Sequence, residues 1–156
     1  MLVKDAMIRD VSAIFEDEKI ETFIRISALH LRHVLPVVDE KMRIIGIISE
    51  DDVINETIPS YFGLLQSASF IPDTNQMKRK LSEIKDEPIG KFINRNVITI
   101  EEEDTILHAA DLLLHHKFMN LFVVDKDSRL TGIINRSRIL LGVLQEVLEE
   151  KAAEEK

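Results

Sequence analysis

Leu35-Pro-Val-Val-Asp39, followed by Arg43-x-x-Gly46-Ile-Ile48, decides the fold because the chain carries it twice. Leu121-Phe-Val-Val-Asp125, followed by Arg129-x-x-Gly132-Ile-Ile134, repeats it at a constant offset of 86. Residues 3–55 and 89–141 align at that offset without a gap. Of the 53 pairs, 14 are identical, from Arg9/Arg95 to Ile48/Ile134, which marks a duplication. A repeat of this size is one supersecondary unit that buries its apolar face against its copy. Two such units predict a pseudo-symmetric domain with clefts between the copies.

Working outward, each copy reads as β-α-β-β-α. In the first, residues 11–15 are a short strand, and the acids Glu16, Asp17 and Glu18 lead into a helix over 19–30. Ile20, Phe23, Ile24, Ser27, Ala28 and Leu31 fall at helical spacing on it. Acids at a helix start suit the positive end of its dipole. Residues 34–38 and 43–48 are two strands around a turn, and Ser49 caps a helix that opens with Glu50, Asp51 and Asp52. The second copy predicts strands at 97–100, 120–124 and 129–134, a helix over 106–117 and another from Arg136. The strands are almost continuously apolar, as when both faces of a sheet are covered. The fold class is therefore α/β in the α+β sense, two repeats packed sheet to sheet with flanking helices. The domains are 1–58 for repeat one, 59–88 for a helical inter-repeat segment, 89–150 for repeat two and 151–156 for a charged tail. Within the middle segment, 59–65 reads as a helical turn or two, Phe70 begins a break, Asp73 or Thr74 is a cap, and 75–85 is a charged helix that docks on the domain.

Composition narrows the function. With 156 residues, 45% hydrophobic and 31% charged, the chain has the balance of a soluble globular domain. It has no cysteine, so disulfides, cysteine metal sites and thiol nucleophiles are excluded. A net charge of -8 opposes binding along a phosphate backbone, so no nucleic-acid partner is expected. No signal peptide and no apolar run long enough to span a membrane is present, and a cytoplasmic location is expected. Gly-rich phosphate loops, His-Glu-x-x-His and Gly-x-Ser-x-Gly are missing, and no catalytic residue is nominated.

The tandem pattern resembles a pair of CBS domains, a Bateman module. The residues that carry the resemblance are Val3-Lys-Asp-Ala-Met7, Leu35-Pro-Val-Val-Asp39 and Gly46-Ile-Ile-Ser-Glu-Asp-Asp52, in order and duplicated. The resemblance implies a regulatory, non-enzymatic module that binds adenosine compounds in the clefts between the repeats. Its signature is Gly, two apolar residues, Ser or Thr, two of any kind, then Asp. The Ser or Thr lies near phosphate or ribose, and the Asp accepts from the ribose hydroxyls. A carboxylate suits a cis-diol, and a strand-to-helix junction offers free N–H groups to an anion. Repeat one is whole at Gly46, Ser49 and Asp52. Repeat two has Asn135 and Arg138 in place of the Ser or Thr and the Asp, and a cation cannot accept from a diol. One adenosine site is therefore expected, around Ile47, Ser49, Asp51 and Asp52. The resemblance places Lys91, Asn96, Phe118 and Met119 on its base-contacting wall. His33 precedes the second strand, near a phosphate, and Arg136 and Arg138 are phosphate contacts. AMP, ADP or ATP is the expected ligand, with no cofactor.

Simpler readings stand beside these. Ser49 and Asp52 can be a helix cap alone, Phe118 and Met119 plain core, and Arg138 a partner of Asp52. The histidine pairs His30/His33 and His115/His116 bring no third ligand, and helix-start acids explain Glu101–Asp104, so no metal is expected. Further expectations are a homodimer through Phe23, Ile26, Ser27 and His30 with Ala109, Leu112, Leu113 and His116, and an unknown regulated protein. The alternatives are a structural or interaction module with vestigial clefts, or a sensor of S-adenosylmethionine, NAD(H) or a cyclic dinucleotide.

Overall fold

The structure is a computed structural model and describes residues 1–58 and 75–156. The expectations for 59–65, Phe70, Asp73 and Thr74 lie outside the described residues. The order is α1 (Val3–Ala6), β1 (Ile14–Phe15), α2 (Ile20–His30), β2 (Val34–Val38), β3 (Ile44–Ser49), α3 (Glu50–Thr57), α4 (Asn75–Ile84), a 3₁₀ turn (Ile89–Lys91), β4 (Thr99–Glu101), α5 (Ile106–His116), β5 (Leu121–Val124), β6 (Leu130–Ile134) and α6 (Arg136–Glu154). Two three-stranded sheets, β1-β2-β3 and β4-β5-β6, form an α+β architecture. In each, the first two strands run parallel, which requires the crossover that α2 and α5 supply.

The chain divides into two compact units, and each takes in a segment from the other repeat's end of the sequence. The repeat-two unit contains Met1–Ser12, Lys41–Ile44 and Ile98–Lys156, and the repeat-one unit contains Ala13–Glu40 and Ile45–Val97. The core of the repeat-two unit joins Val3, Ala6 and Met7 to Ile100, Ala109, Leu113, Leu121, Val123, Ile134 and Ile139. The core of the repeat-one unit joins Ile89 to Ile14, Ile20, Phe23, Leu35, Val37, Ile48 and Val53. Val3 and Ile89 are twins at the 86 offset, and each is completely buried in the core of the repeat that does not follow it in sequence.

Two signature glycines allow that packing. Ile8 exchanges both backbone hydrogen bonds with Ile133, at 2.8 and 2.9 Å, and Asn94 does the same with Ile47, at 2.9 Å each. A Cβ on Gly132 would lie 2.5 Å from the Ile8 carbonyl oxygen, and one on Gly46 would lie 2.8 Å from Ile93 Cδ1 and 2.9 Å from the Asn94 oxygen. Only a residue without a side chain lets the leading segment come this close.

The duplication extends to backbone detail. Among the described residues, the four non-glycine residues with positive φ are Leu31 and Lys117, which end α2 and α5, and Met42 and Ser128 in the two hairpin turns. Each pair is separated by 86. The volumes, by contrast, are traded. Phe23 and Ser27 are buried one turn apart on α2, and their twins on α5 are Ala109 and Leu113. A large residue beside a small one fills each core in the opposite order, as dense packing demands. This corrects the expected dimer face: Phe23, Ser27, Ala109 and Leu113 point into the cores. Ile26 and Leu112 are half-buried against those cores. Helical spacing locates an apolar stripe without saying whether core or partner covers it. Leu31, expected on that stripe, is instead 80% exposed because it is the left-handed cap.

Elsewhere the expected order of elements holds, although β1 is only Ile14–Phe15 and β3 is fully buried only at Gly46 and Ile48. Strand burial is complete along β5 and nearly so along β2 and β6. Helix α4 docks through Leu81 and Ile84, which pack on the repeat-one core. The charged stretch after Gly142 continues α6 as helix to Glu154.

Two stability predictions follow from these contacts. The Ser27 hydroxyl is buried without a hydrogen-bond partner among the described residues. Removing an unsatisfied buried group is favourable, so Ser27→Ala should stabilise the protein by about 1 kcal/mol. Urea unfolding checks this, and a loss of stability would show that the hydroxyl is satisfied.

The turn after β5 gives the second. Asp125 accepts from the backbone N–H of Asp127 at 2.9 Å and of Arg129 at 3.0 Å, and from Arg129 Nε at 3.1 Å. Those bonds, that from the Arg129 N–H foremost, hold its carboxyl below the usual range, with desolvation opposing. A depressed folded-state pKa means stability that is present above the unfolded value and lost as pH falls through the folded one. Asp125→Asn should therefore be less stable than the parent at neutral pH, with the gap closing below about pH 4. Thermal unfolding across that range measures it, and a pH-independent gap would contradict it.

Candidate functional site

The β3–α3 junction carries the intact signature. Strand β3 ends at Ser49, whose extended backbone (φ -121°, ψ 161°) places it at the N-cap of α3. Ser49 Oγ accepts from the Asp52 N–H at 3.3 Å and donates to Asp52 Oδ2 at 2.9 Å. The Ser49 N–H also donates to Oδ2, at 2.8 Å. This is a closed capping box. It uses one carboxylate oxygen fully and holds the side chain still. Asp52 Oδ1 has no hydrogen-bond partner among the described residues. A fixed, part-buried carboxylate oxygen with open lone pairs is an acceptor prepared for a hydroxyl.

The first turn of α3 holds three acids, Glu50, Asp51 and Asp52. They already complement the helix dipole, so an anion gains less here than at a neutral N-terminus. The junction therefore suits the diol of a ribose better than a phosphate. His33 reaches it from the start of β2: its carbonyl accepts from the Glu50 N–H at 3.0 Å, and its Nδ1 lies 3.0 Å from Glu50 Oε2. Glu50 was not among the expected site residues, although the hairpin that sets β2 beside β3 brings it opposite His33. Ile47 is fixed by its pair of backbone hydrogen bonds with Asn94, and the Asn94 side chain turns the chain by accepting from the Asn96 N–H at 3.0 Å. The fold thus brings His33, Ile47, Ser49, Asp51, Asp52 and Asn96 into the repeat-one unit. Lys91 also lies in that unit, where its Nζ sits 3.5 Å from Glu87.

The twin junction in the repeat-two unit has different chemistry. Asn135 caps α6 by accepting from the Arg138 N–H at 3.0 Å and bonds Asn120 through Nδ2 at 3.3 Å. Arg138, at the position of Asp52, donates from Nε to the Ala6 carbonyl at 2.9 Å, so it ties α1 to α6. Arg136 donates from Nη1 to the Phe118 carbonyl at 2.6 Å and from Nη2 to the Leu113 carbonyl at 2.8 Å. It closes the C-terminal end of α5, where orphan carbonyls need donors. Phe118 is half-buried and stacks on His116 at 5.2 Å, whereas Met119 is 78% exposed. So Phe118, Met119, Arg136 and Arg138 belong to one unit and the other expected residues to its counterpart.

A depression of 240 Å³ in the repeat-two unit is lined by Glu101, Glu102, Glu103, Asp125, Lys126 and Asp127. Lys4 and Arg9 pair with Glu103 and Glu102 at 2.8 and 3.2 Å. Among the described residues, no three histidines or acids are grouped to hold a metal ion, and no helix is long and apolar enough to cross a membrane.

With this geometry in place, comparison with known proteins assigns the family. Residues 3–58 and 89–144 each match the CBS domain, and the chain belongs to that family as a tandem pair. It is 29% identical over 149 residues to a CBS domain-containing protein of Dictyostelium discoideum, covering 96% of this chain and 94% of that one. It is also 29% identical over 116 residues to the chloroplastic CBS domain-containing protein CBSX1 of Arabidopsis thaliana, covering 70% of this chain; it spans about half the length of that relative, 49%. Among solved structures, CBSX2 in complex with AMP superposes with a TM-score of 0.68 at 22% identity, covering 92% and 96% of the two chains. The CBS pair of MJ0100, in complex with 5-methylthioadenosine and S-adenosyl-L-methionine, superposes with a TM-score of 0.61 at 24% identity, covering 89% and 96%. At those identities the likeness is one of fold.

The cap chemistry makes a prediction of its own. Asn135→Ala should cost about 1 kcal/mol, and Asn135→Ser, which restores the residue type of Ser49, should recover most of it. Chemical denaturation reads both, and equal stabilities for Ala and Ser would mean that the cap contributes nothing.

Proposed function

We propose that this tandem CBS pair is a regulatory, non-enzymatic module that binds an adenine nucleotide, AMP, ADP or ATP, and signals to a partner protein by a change of conformation. The observation that carries the reading is the unused Oδ1 of Asp52, held in place by the capping box and lost in repeat two, where Arg138 replaces it. Asp52 would accept from the ribose hydroxyls, with Ser49, Asp51, Ile47, Asn96, Lys91 and His33 as neighbouring contacts. Phe118 and Met119 remain the proposed purine contacts, and Arg136 and Arg138 the proposed phosphate contacts. The AMP complex of CBSX2 and the adenosyl complexes of MJ0100 support an adenosine ligand. One ligand per chain is expected because only one signature is whole. A cytoplasmic location, an assembly of two copies and a separate regulated protein complete the proposal. A switch of this kind requires a ligand with different affinity for two conformations.

A second reading has its own observation. Ser49 and Asp52 form a complete capping box, and Asn135 caps α6 in a similar way, so both junctions have a structural task without a ligand. On that reading the chain is an interaction module.

Calorimetric titration with AMP, ADP and ATP separates the two readings if Asp52→Ala is compared with Ser49→Ala. Both variants break the capping box, but only the first removes Oδ1. The ligand reading expects one site per chain and a loss of roughly 1.5–3 kcal/mol in Asp52→Ala, about 10- to 150-fold in affinity, against a much smaller loss in Ser49→Ala. Equal losses would assign the effect to the cap. No heat with any adenosyl ligand would favour the interaction module.

A further inference from the structure

Helix α4 is where the charge of the chain reverses. Lys78, Arg79 and Lys80 are consecutive, and no other two of the 20 Lys and Arg residues are adjacent in the sequence. Between Thr57 and Ser82 the only acid is Asp73, in a chain whose net charge is -8. Leu81 and Ile84 hold α4 to the repeat-one core. At 3.6 residues per turn the opposite face, with Arg79 near its centre and Lys78 beside it, turns outward. All three cations are exposed. Met77, 45% exposed, adds apolar surface at the same end of the helix.

Lys80 lies 3.7 Å from Glu83, whereas Lys78 and Arg79 have no ion-pair or hydrogen-bond partner among the described residues. Bases elsewhere find acids, as Lys4 does Glu103, Arg25 does Glu21 and Lys85 does Asp86. The crowding on α4 is unfavourable in the free chain. Adjacent like charges repel, and cations in the first half of a helix oppose its dipole, with no acid in the first turn to compensate. Carboxylates on a partner offset both effects. The rest of the chain limits the size of that partner. Without the three cations the net charge falls from -8 to -11. A long polyanion or an anionic membrane meets that repulsion across the surface. A short segment feels only the patch, because screening confines exposed charges to a Debye length of about 8 Å.

We propose that the outward face of α4 is the docking surface for a short acidic segment of the regulated protein, with carboxylates on Lys78 and Arg79 and an apolar side chain on Met77. Arginine takes a carboxylate bidentately, and methionine adapts to varied apolar shapes. Helix α4 packs against α3, whose first turn holds Asp52, so this surface is one helix away from the candidate site. Its role as an output rests on the regulatory reading; the docking itself does not.

Fluorescence anisotropy on the whole chain, without nucleotide, tests it. The probe is a labelled synthetic peptide of glutamates and leucines at helical spacing. A peptide with glutamine for glutamate, phosphatidylserine vesicles and duplex DNA are the comparisons. The glutamate peptide should bind, more weakly as salt rises. Lys78→Glu with Arg79→Glu should lower its affinity about tenfold or more. Neither side chain has a partner to lose, so the melting temperature should stay near that of the parent. Lys151→Glu with Lys156→Glu makes the same change of net charge in the tail and should leave peptide binding unchanged. Nucleotide titration of the Lys78→Glu, Arg79→Glu chain should match the parent, so docking and the nucleotide site are read separately. No binding of the glutamate peptide, equal losses in the two double variants, or tighter binding to vesicles or DNA than to the peptide would overturn the proposal.

Discussion

Everything in this structure depends on the leading segment of each repeat being buried with the other repeat. Val3 and Ile89 are twins in the duplication, and each completes a core assembled mostly from residues of the opposite copy. Each of the two residues is completely buried there. Gly46 and Gly132 are the sequence's concession to this arrangement: any side chain there would meet Asn94 or Ile8. The same crossing fixes Ile47 against Asn94 and so positions Asn96 in the unit that holds Ser49 and Asp52. The signature glycine is therefore a packing requirement first, and the site follows from it.

Duplication set the two halves equal, and their side chains have since divided the work. The packing solution is inverted, Phe23 with Ser27 in one copy and Ala109 with Leu113 in the other. The junctions differ more. Ser49 and Asp52 leave a carboxylate oxygen available, while Asn135, Arg136 and Arg138 each bond backbone groups, of α6, of the end of α5 and of α1. One junction presents an acceptor for a hydroxyl, and the other is a structural tie with residual positive charge.

Much of this was legible in the sequence. The repeat gave the strand and helix order, and the cap at Ser49 was readable because Ser followed by Asp three residues on satisfies both halves of a capping box. What was not legible was long-range. No periodicity in Val3-Lys-Asp-Ala-Met7 or around Ile89 tells which core receives it, so the contiguous division at 58 and 89 differs from the spatial units. The α2 and α5 faces misled for a related reason: core and interface stripes have the same spacing, and only packing distinguishes them. The bonds of Arg136 to the Leu113 and Phe118 carbonyls were equally hidden, because the fold rather than sequence proximity brings them together.

Native-state hydrogen exchange followed by NMR tests the exchange of leading segments most directly. The amides of Ile8, Asn94, Ile47 and Ile133 are the four that bond across the two crossings. They should be protected to the level of the β5–β6 ladder, because opening either crossing opens a core and amounts to global unfolding. If Ile8 and Asn94 instead exchanged at the rate of an unstructured segment while the ladder stayed protected, each repeat would be stable without the other's leading segment, and the account would fail.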